Sequence, residues 1–437
     1  MRWYVRCSRC IITVKLSKFI YAMDILGYRN NLTIKLDLNN PLVFNLIIVG
    51  GIIFFMFFPR RKNMKSDLIS MEHSEVIRGF SILIIIIHHL CRHAISDPSD
   101  LIIFYNLGHI GVGLFLILSG YGLSESYKKK GLNDFFYSKL LKIYTPFLLV
   151  NILYVTLNQQ LLGQHLSFND KILYAVGIIN FDANFWYMKY LFLLYLSFYV
   201  VFRLSIKDNY KLIFLTIISL AFMASPFIPD SGRVNSLTFL FGVLISMKKE
   251  FIEVYISKMN MGKLSLTLLS LILISIPLIF LSEYTATMPH IAGKLNFGLA
   301  LISAAGLFYI IRLPMQERIS LLLFYVLAVS YFTTTDLIVT YSWAFALVLI
   351  CPVVIFLLKN MNLNSHSIVF AFIGSISFEL YLFHGAFMYS YDFILHKFPL
   401  EYSFFIYLIF IMILSVVFKK STDGIQRFSY KLSTRVS

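Results

Sequence analysis

The stretch Glu75-Val76-Ile77-Arg78-Gly79-Phe80-Ser81-Ile82-Leu83-Ile84-Ile85-Ile86-Ile87-His88-His89-Leu90-Cys91-Arg92-His93 sets ionisable side chains into a run of isoleucines. In a helix, Arg78 and His89 fall within about 20° of one face and roughly 16 Å apart along the axis. Glu75, Arg92 and His93 lie on or near that stripe, and His88 points elsewhere. Hydrocarbon offers these groups no partners, so the helix must turn the stripe toward protein or a water-filled cavity. The plainer alternative makes Glu75 and Arg78 interfacial anchors and the three histidines hydrogen-bonded core residues.

The surrounding chain is of the same kind. Of 437 residues, 58% are hydrophobic and only 14% charged, and mean hydropathy is +0.77, whereas soluble domains carry about 25% charge. A soluble multidomain protein is excluded. With 21 Gly, 11 Pro and 4 Cys, so are a collagen-like repeat, a disordered chain and a disulfide scaffold. Taking about 20 apolar residues per crossing, candidate spans are 41–58, 76–94, 106–123, 144–161, 185–202, 212–228, 234–247, 264–281, 295–311, 320–332, 337–358, 368–388 and 402–418. The expected fold is an all-α, polytopic transmembrane helical bundle of about 10–13 spans, with 234–247 and 320–332 short for a crossing.

Charge supports this count. Lys and Arg gather in the connections at 60–65, 128–142, 203–211, 248–263 and 312–318, at Lys359, and in a tail from Lys419 to Arg435. The alternate connections are poor in them, so the basic side is cytoplasmic. The formal charge of +16 thereby reads as topology, and no nucleic-acid partner is expected. The chain divides into a basic leader at 1–70 that includes the candidate helix 41–58, a membrane domain at 71–420, and a basic cytoplasmic tail at 421–437. One feature resists the pattern: Arg2, Arg6, Arg9, Lys15, Lys18, Arg29 and Lys35 would lie outside if 41–58 spans. Either that helix has an unusual orientation or the leader lies along the membrane. Cys7 and Cys10 have CxxC spacing but no second pair, so no metal site is expected, and all four cysteines are read as unpaired. There is no internal repeat, and no loop is long enough for a folded domain. Chemistry must therefore come from the helices themselves.

Three further segments carry candidate groups. Gly108-His109-Ile110-Gly111-Val112-Gly113, leading to Ser119-Gly120, is dense in small residues, which on their own indicate close helix packing. Lys139 and Lys142, before Pro146, are three residues apart and would present two ammonium groups to one anion, although a cytoplasmic loop would hold lysines anyway. Ser377, Tyr381 and His384 share a face, with Glu379 on another. That grouping fits a helix-to-helix hydrogen-bond cluster as well as a site.

Taken in order, Arg78-Gly79 with His89 eleven residues after the Arg, Gly111 through Tyr121, a basic pair ahead of Pro146, Trp186-Tyr187, and Tyr381-Leu382-Phe383-His384 resemble acyltransferase family 3. These are integral-membrane bacterial acyltransferases of envelope and extracellular carbohydrates. The resemblance runs from about Met71 to Phe418. It implies that Arg78, His89 and His384 are catalytic, and that Lys139, Lys142, Arg78, Gly111, Gly113 and Ser119 bind acyl-CoA, with acetyl-CoA the expected donor and no metal. Trp186 and Tyr187 would border the entrance for a sugar or polysaccharide acceptor, although an interfacial aromatic belt would also place them there. The implied location is the bacterial inner membrane. One departure stands out: the family's basic motif is a pair of Arg and here is a pair of Lys, which keeps the charge but not the planar bidentate fork. The competing reading is a flippase or polymerase of lipid-linked oligosaccharide, which shares the length, basicity and aromatic content but accounts for neither the lysine pair nor the glycine run. A third is a membrane assembly or sensory protein in which the buried histidines are structural.

Overall fold

The structure, a computed structural model of the chain, describes residues 36–57, 60–62, 69–97, 100–101, 104–161, 163, 166–257, 270–271, 335–360 and 365–436. The expected spans 295–311 and 320–332, all of 264–281 but 270–271, and Cys7 and Cys10, lie outside the described residues. Within them the order is α1 (Pro41–Phe57), β1 (Arg60–Lys62), α2 (Met71–His89), α3 (Leu107–Lys130), α4 (Phe135–Lys139), α5 (Thr145–Leu161), α6 (Phe168–Ala175), α7 (Trp186–Arg203), α8 (Asp208–Ala224), α9 (Asp230–Arg233), α10 (Ser236–Met247), α11 (Lys249–Ser257), α12 (Thr335–Asn360), β2 (Ser365–Ser367), α13 (Ile368–Ser375), α14 (Ser377–Tyr389) and α15 (Leu400–Val436). The two short strands pair antiparallel, with Arg61 opposite His366.

The fold is an all-α, multi-pass membrane bundle. Among the described residues Met71–Arg92, Leu107–Lys130, Phe135–Leu161, Ala183–Arg203 and Leu400–Gln426 are long and apolar enough to cross, and α13 with α14 adds a sixth if that bent pair is one span. Helices α8, of 17 residues, and α10, of 12, are shorter. At 1.5 Å per residue α10 covers about 18 Å, well under a hydrocarbon core. Helix α15 runs unbroken for 37 residues, so the basic tail continues the last helix.

Local chemistry sets the ends. Ser70 caps α2 by accepting from the His73 backbone N–H at 3.2 Å. Helix α3 closes on Lys128, Lys129 and Lys130, then on Gly131, whose φ of 63° lets its N–H donate to the Tyr127 carbonyl at 2.8 Å. The three lysines answer the helix dipole.

Two departures from a regular helix matter for the site. The expected span 368–388 is broken by a 73° bend between α13 and α14. The carbonyls that the break frees are answered inside the protein: Ser377 Oγ donates to Gly374 O at 2.8 Å, and Lys419 Nζ from α15 donates to Ser375 O. Helix α2 ends in a π turn over Leu90–Ala94. This turn is wider than an α turn and takes Arg92 off the stripe that α-helical spacing predicts for it. Arg92 is exposed and stands 5.1 Å over the Tyr105 ring.

Helix α2 is the centre of the assembly, packed against α3, α12, α13 and α14. A Cβ on Gly79 would overlap the Phe370 carbonyl, and one on Gly374 would overlap the Glu75 carbonyl, so α2 and α13 meet backbone to backbone. We expect Gly79→Leu and Gly374→Val to reduce folded protein several-fold in detergent size-exclusion profiles, since overpacking a tight contact costs about 1–3 kcal/mol. Gly122→Ala, at an exposed position facing open space, is expected to leave the profile unchanged.

Candidate active site

The polar residues of α2, α3, α7 and α14 form two levels of one column. At the inner level, Arg78 keeps an exposed side chain although it stands well inside α2. Its charge is felt by Tyr187 and Tyr195 of α7 and by Glu75, and by Lys139 of α4. Ser119 of α3 lies close to the hydroxyls of both Tyr187 and Tyr195. The surroundings of Arg78 on α7 and α4 are the protein-facing arrangement that the bilayer requires of a mid-helix charge.

At the outer level, the rings of His89 and His384 lie 5.1 Å apart between centroids. His88 is 5.1 Å from His89 and 6.0 Å from His109. His88 is seated there because Gly108 has no Cβ; one would overlap the imidazole. Tyr381 joins the levels, its ring 5.4 Å from Tyr187 and 6.0 Å from His384.

His384 is the best-defined group in the column. It is fully buried, and its Nδ1 lies 2.9 Å from the Tyr381 carbonyl. A carbonyl only accepts, so Nδ1 carries the proton and Nε2 of the neutral ring carries the lone pair. Among the described residues Nε2 has no hydrogen-bond partner. The helix bearing it is pinned on two sides: Tyr154 donates to Leu382 O at 2.6 Å and Tyr407 to His384 O at 2.5 Å. A fixed imidazole with a free, buried lone pair is suited to removing a proton from a hydroxyl.

The other expected site residues separate into three groups. Lys139 turns inward, half-buried, its ammonium 5.1 Å over the Tyr195 ring, while Lys142 is exposed. The two were expected to share a face. A π turn over Leu140–Tyr144 spreads them, because residues three apart no longer align when the turn widens. Gly111 and Gly113, expected to line the donor path, instead occupy helix contacts. A Cβ on Gly111 would reach the Ser81 carbonyl at 2.8 Å, and one on Gly113 would reach Cys351 Sγ at 3.0 Å. The packing explanation of the glycine run holds for both. Trp186 and Tyr187 diverge: Tyr187 enters the column, and Trp186 packs toward Tyr190. Sequence reasoning passed over Tyr195, one tyrosine in an aromatic-rich helix, which has no distinguishing spacing.

Tyr187 is aimed by the turn before it. Asp182 Oδ1 accepts from the Asn184 N–H at 2.8 Å, capping the short turn Ala183–Phe185, and the Asn184 carbonyl accepts from the Tyr381 hydroxyl at 2.7 Å. Gly385, beside His384, leaves room for Asp182; a Cβ there would overlap its carboxylate.

A bundle that crosses the membrane several times and gathers paired histidines, an arginine and a half-buried lysine along one internal column defines a membrane-embedded enzyme of group transfer. The family pattern described as an acyltransferase domain matches residues 73–420, and the chain belongs to that family, acyltransferase family 3. It is a multi-pass membrane acyltransferase. Comparison with curated proteins and with solved structures finds no match.

Burial pushes the Asp182 carboxyl up to about 6, above its unfolded value near 4. Between these values the folded state holds a proton that the unfolded state has lost, so stability falls as pH rises from about 4 to about 6. Asp182→Asn lacks this proton. The melting temperature of wild type relative to Asp182→Asn is therefore expected to decrease over that window and level off above it, as read by differential scanning fluorimetry.

Proposed function

We propose that the chain moves an acyl group, acetyl foremost, from cytoplasmic acyl-CoA to a hydroxyl of an envelope or secreted polysaccharide at the bacterial inner membrane. The observation that carries this reading is the orientation of His384: Nδ1 is tied to a carbonyl, Nε2 is buried without a partner among the described residues, and His89 stands beside it. Arg78 and Lys139 lie at the opposite, cytoplasmic end of the column.

In this reading Lys139, Lys142 and Arg78 hold the donor's phosphates as charge-assisted partners. The pantetheine arm rises past Ser119 and Tyr187 over the roughly 16 Å that separate Arg78 from His89 along the helix. At the outer level, His384 Nε2, with His89 beside it, takes the proton from the acceptor hydroxyl as its oxygen attacks the thioester carbonyl. The carbon–sulfur bond breaks, and the same base returns the proton to the departing thiolate. Trp186, toward the outer surface, borders the acceptor entrance.

General-base catalysis by a histidine is typically worth about 10²–10⁴ in rate. His384→Ala and His89→Ala are each expected to lower transfer from acetyl-CoA by at least 100-fold while membrane abundance is unchanged. Mass spectrometry of surface glycans from cells with and without each variant reads the outcome. Loss of ester-linked acyl groups at constant chain length supports the assignment. Unchanged acylation rejects it, and shortened or missing glycan indicates a flippase or polymerase instead.

A further inference from the structure

Two hollows meet at Lys139. The larger, about 370 Å³, lies between α4 and α7 and is walled by Phe135, Phe136, Tyr137, Phe192 and Tyr195, with Lys139 among them. The smaller is lined by Ser126, Lys130 and Asn133 and shares Phe135 and Lys139 with the first. An aromatic chamber of small-molecule size therefore adjoins a polar recess, with Lys139 at their junction and Lys130 in the recess.

We propose that the aromatic hollow receives the adenine ring of acyl-CoA, its phosphates resting on Lys130, Lys139 and the exposed Lys142. This assignment rests on the donor reading above and extends it to a named subsite. Three observations support it. The walls supply several aromatic faces, the surface on which nucleobases stack without needing hydrogen-bond readout. The cations lie beside those faces, which suits a base attached to phosphate. The order along the column, aromatic hollow, then the lysines with Arg78, whose charge Lys139 feels, then the histidines, follows the order of base, phosphates and thioester in the donor. A lipid tail would need no such wall.

The test compares three probes by isothermal titration on full-length protein in nanodiscs: acetyl-CoA, acetyl-4′-phosphopantetheine, which lacks the adenosine end, and adenosine 3′,5′-bisphosphate, which is only that end. Wild type is expected to bind acetyl-CoA about 10-fold or more tightly than acetyl-4′-phosphopantetheine, given the usual contribution of one stacked base. Phe136→Ala and Tyr137→Ala, at exposed positions where folding tolerates truncation, are expected to erase that difference. They weaken acetyl-CoA and adenosine 3′,5′-bisphosphate and leave acetyl-4′-phosphopantetheine unchanged. If wild type binds acetyl-CoA and acetyl-4′-phosphopantetheine equally, or the variants weaken both alike, the adenine subsite is wrong while the donor reading stands. If wild type binds no acetyl-CoA, the donor reading itself fails and takes the subsite with it. Release of a phospholipid from the variants in native mass spectrometry, with donor affinities unchanged, makes the groove a lipid site and overturns the proposal.

Discussion

Everything in this molecule depends on enclosing one charged helix. Helix α2 carries Arg78 and His89 through a setting that cannot solvate them, and it survives there because neighbouring backbones close on it. The contact of Gly79 with Phe370 and of Gly374 with Glu75 brings α13 to the backbone of α2, and Gly108 lets α3 close over His88. Small residues here do what apolar burial does in water: hydrocarbon gives helices no reason to associate beyond packing and polar contacts. On the same helix Arg78 remains accessible.

The breaks in helical geometry work toward the same end. A regular α2 would carry Arg92 along the polar stripe of Arg78 and His89, and a regular α4–α5 junction would aim both lysines the same way. In each place a π turn intervenes, sending Arg92 to Tyr105 and separating Lys139 from Lys142. The bend between α13 and α14 is supported by Lys419 and Ser377, and it delivers a short helix whose carbonyls are gripped by Tyr154 and Tyr407. His384 is thereby fixed in position and in tautomer. The proposed role as a base needs such orientation before substrate arrives, and α5 and α15 supply the contacts that hold the helix.

The sequence made the class of the site legible because charge in an apolar helix has few innocent explanations. Arg78, His89 and His384 stood out on that ground, and the structure brings them to one column. Gly111 and Gly113 pack against neighbouring helices, which the sequence could not single out, because a glycine that lines a cavity and a glycine that admits a neighbouring backbone look alike in one dimension. Tyr195 and Tyr381 were undervalued for the converse reason, since aromatic residues abound in membrane helices and only contact shows which of them carry polar work.

By itself the chain determined that it is a helical membrane protein and which ionisable groups lie within the spans. Those properties follow from composition and from spacing along a single helix. The tertiary structure alone decided that Tyr187 turns inward while Trp186 does not, that Lys139 parts from Lys142, and that Nε2 of His384 is the nitrogen left open. Each of these depends on π turns, a supported bend and atoms supplied by distant helices, and no local pattern of residues encodes such partners.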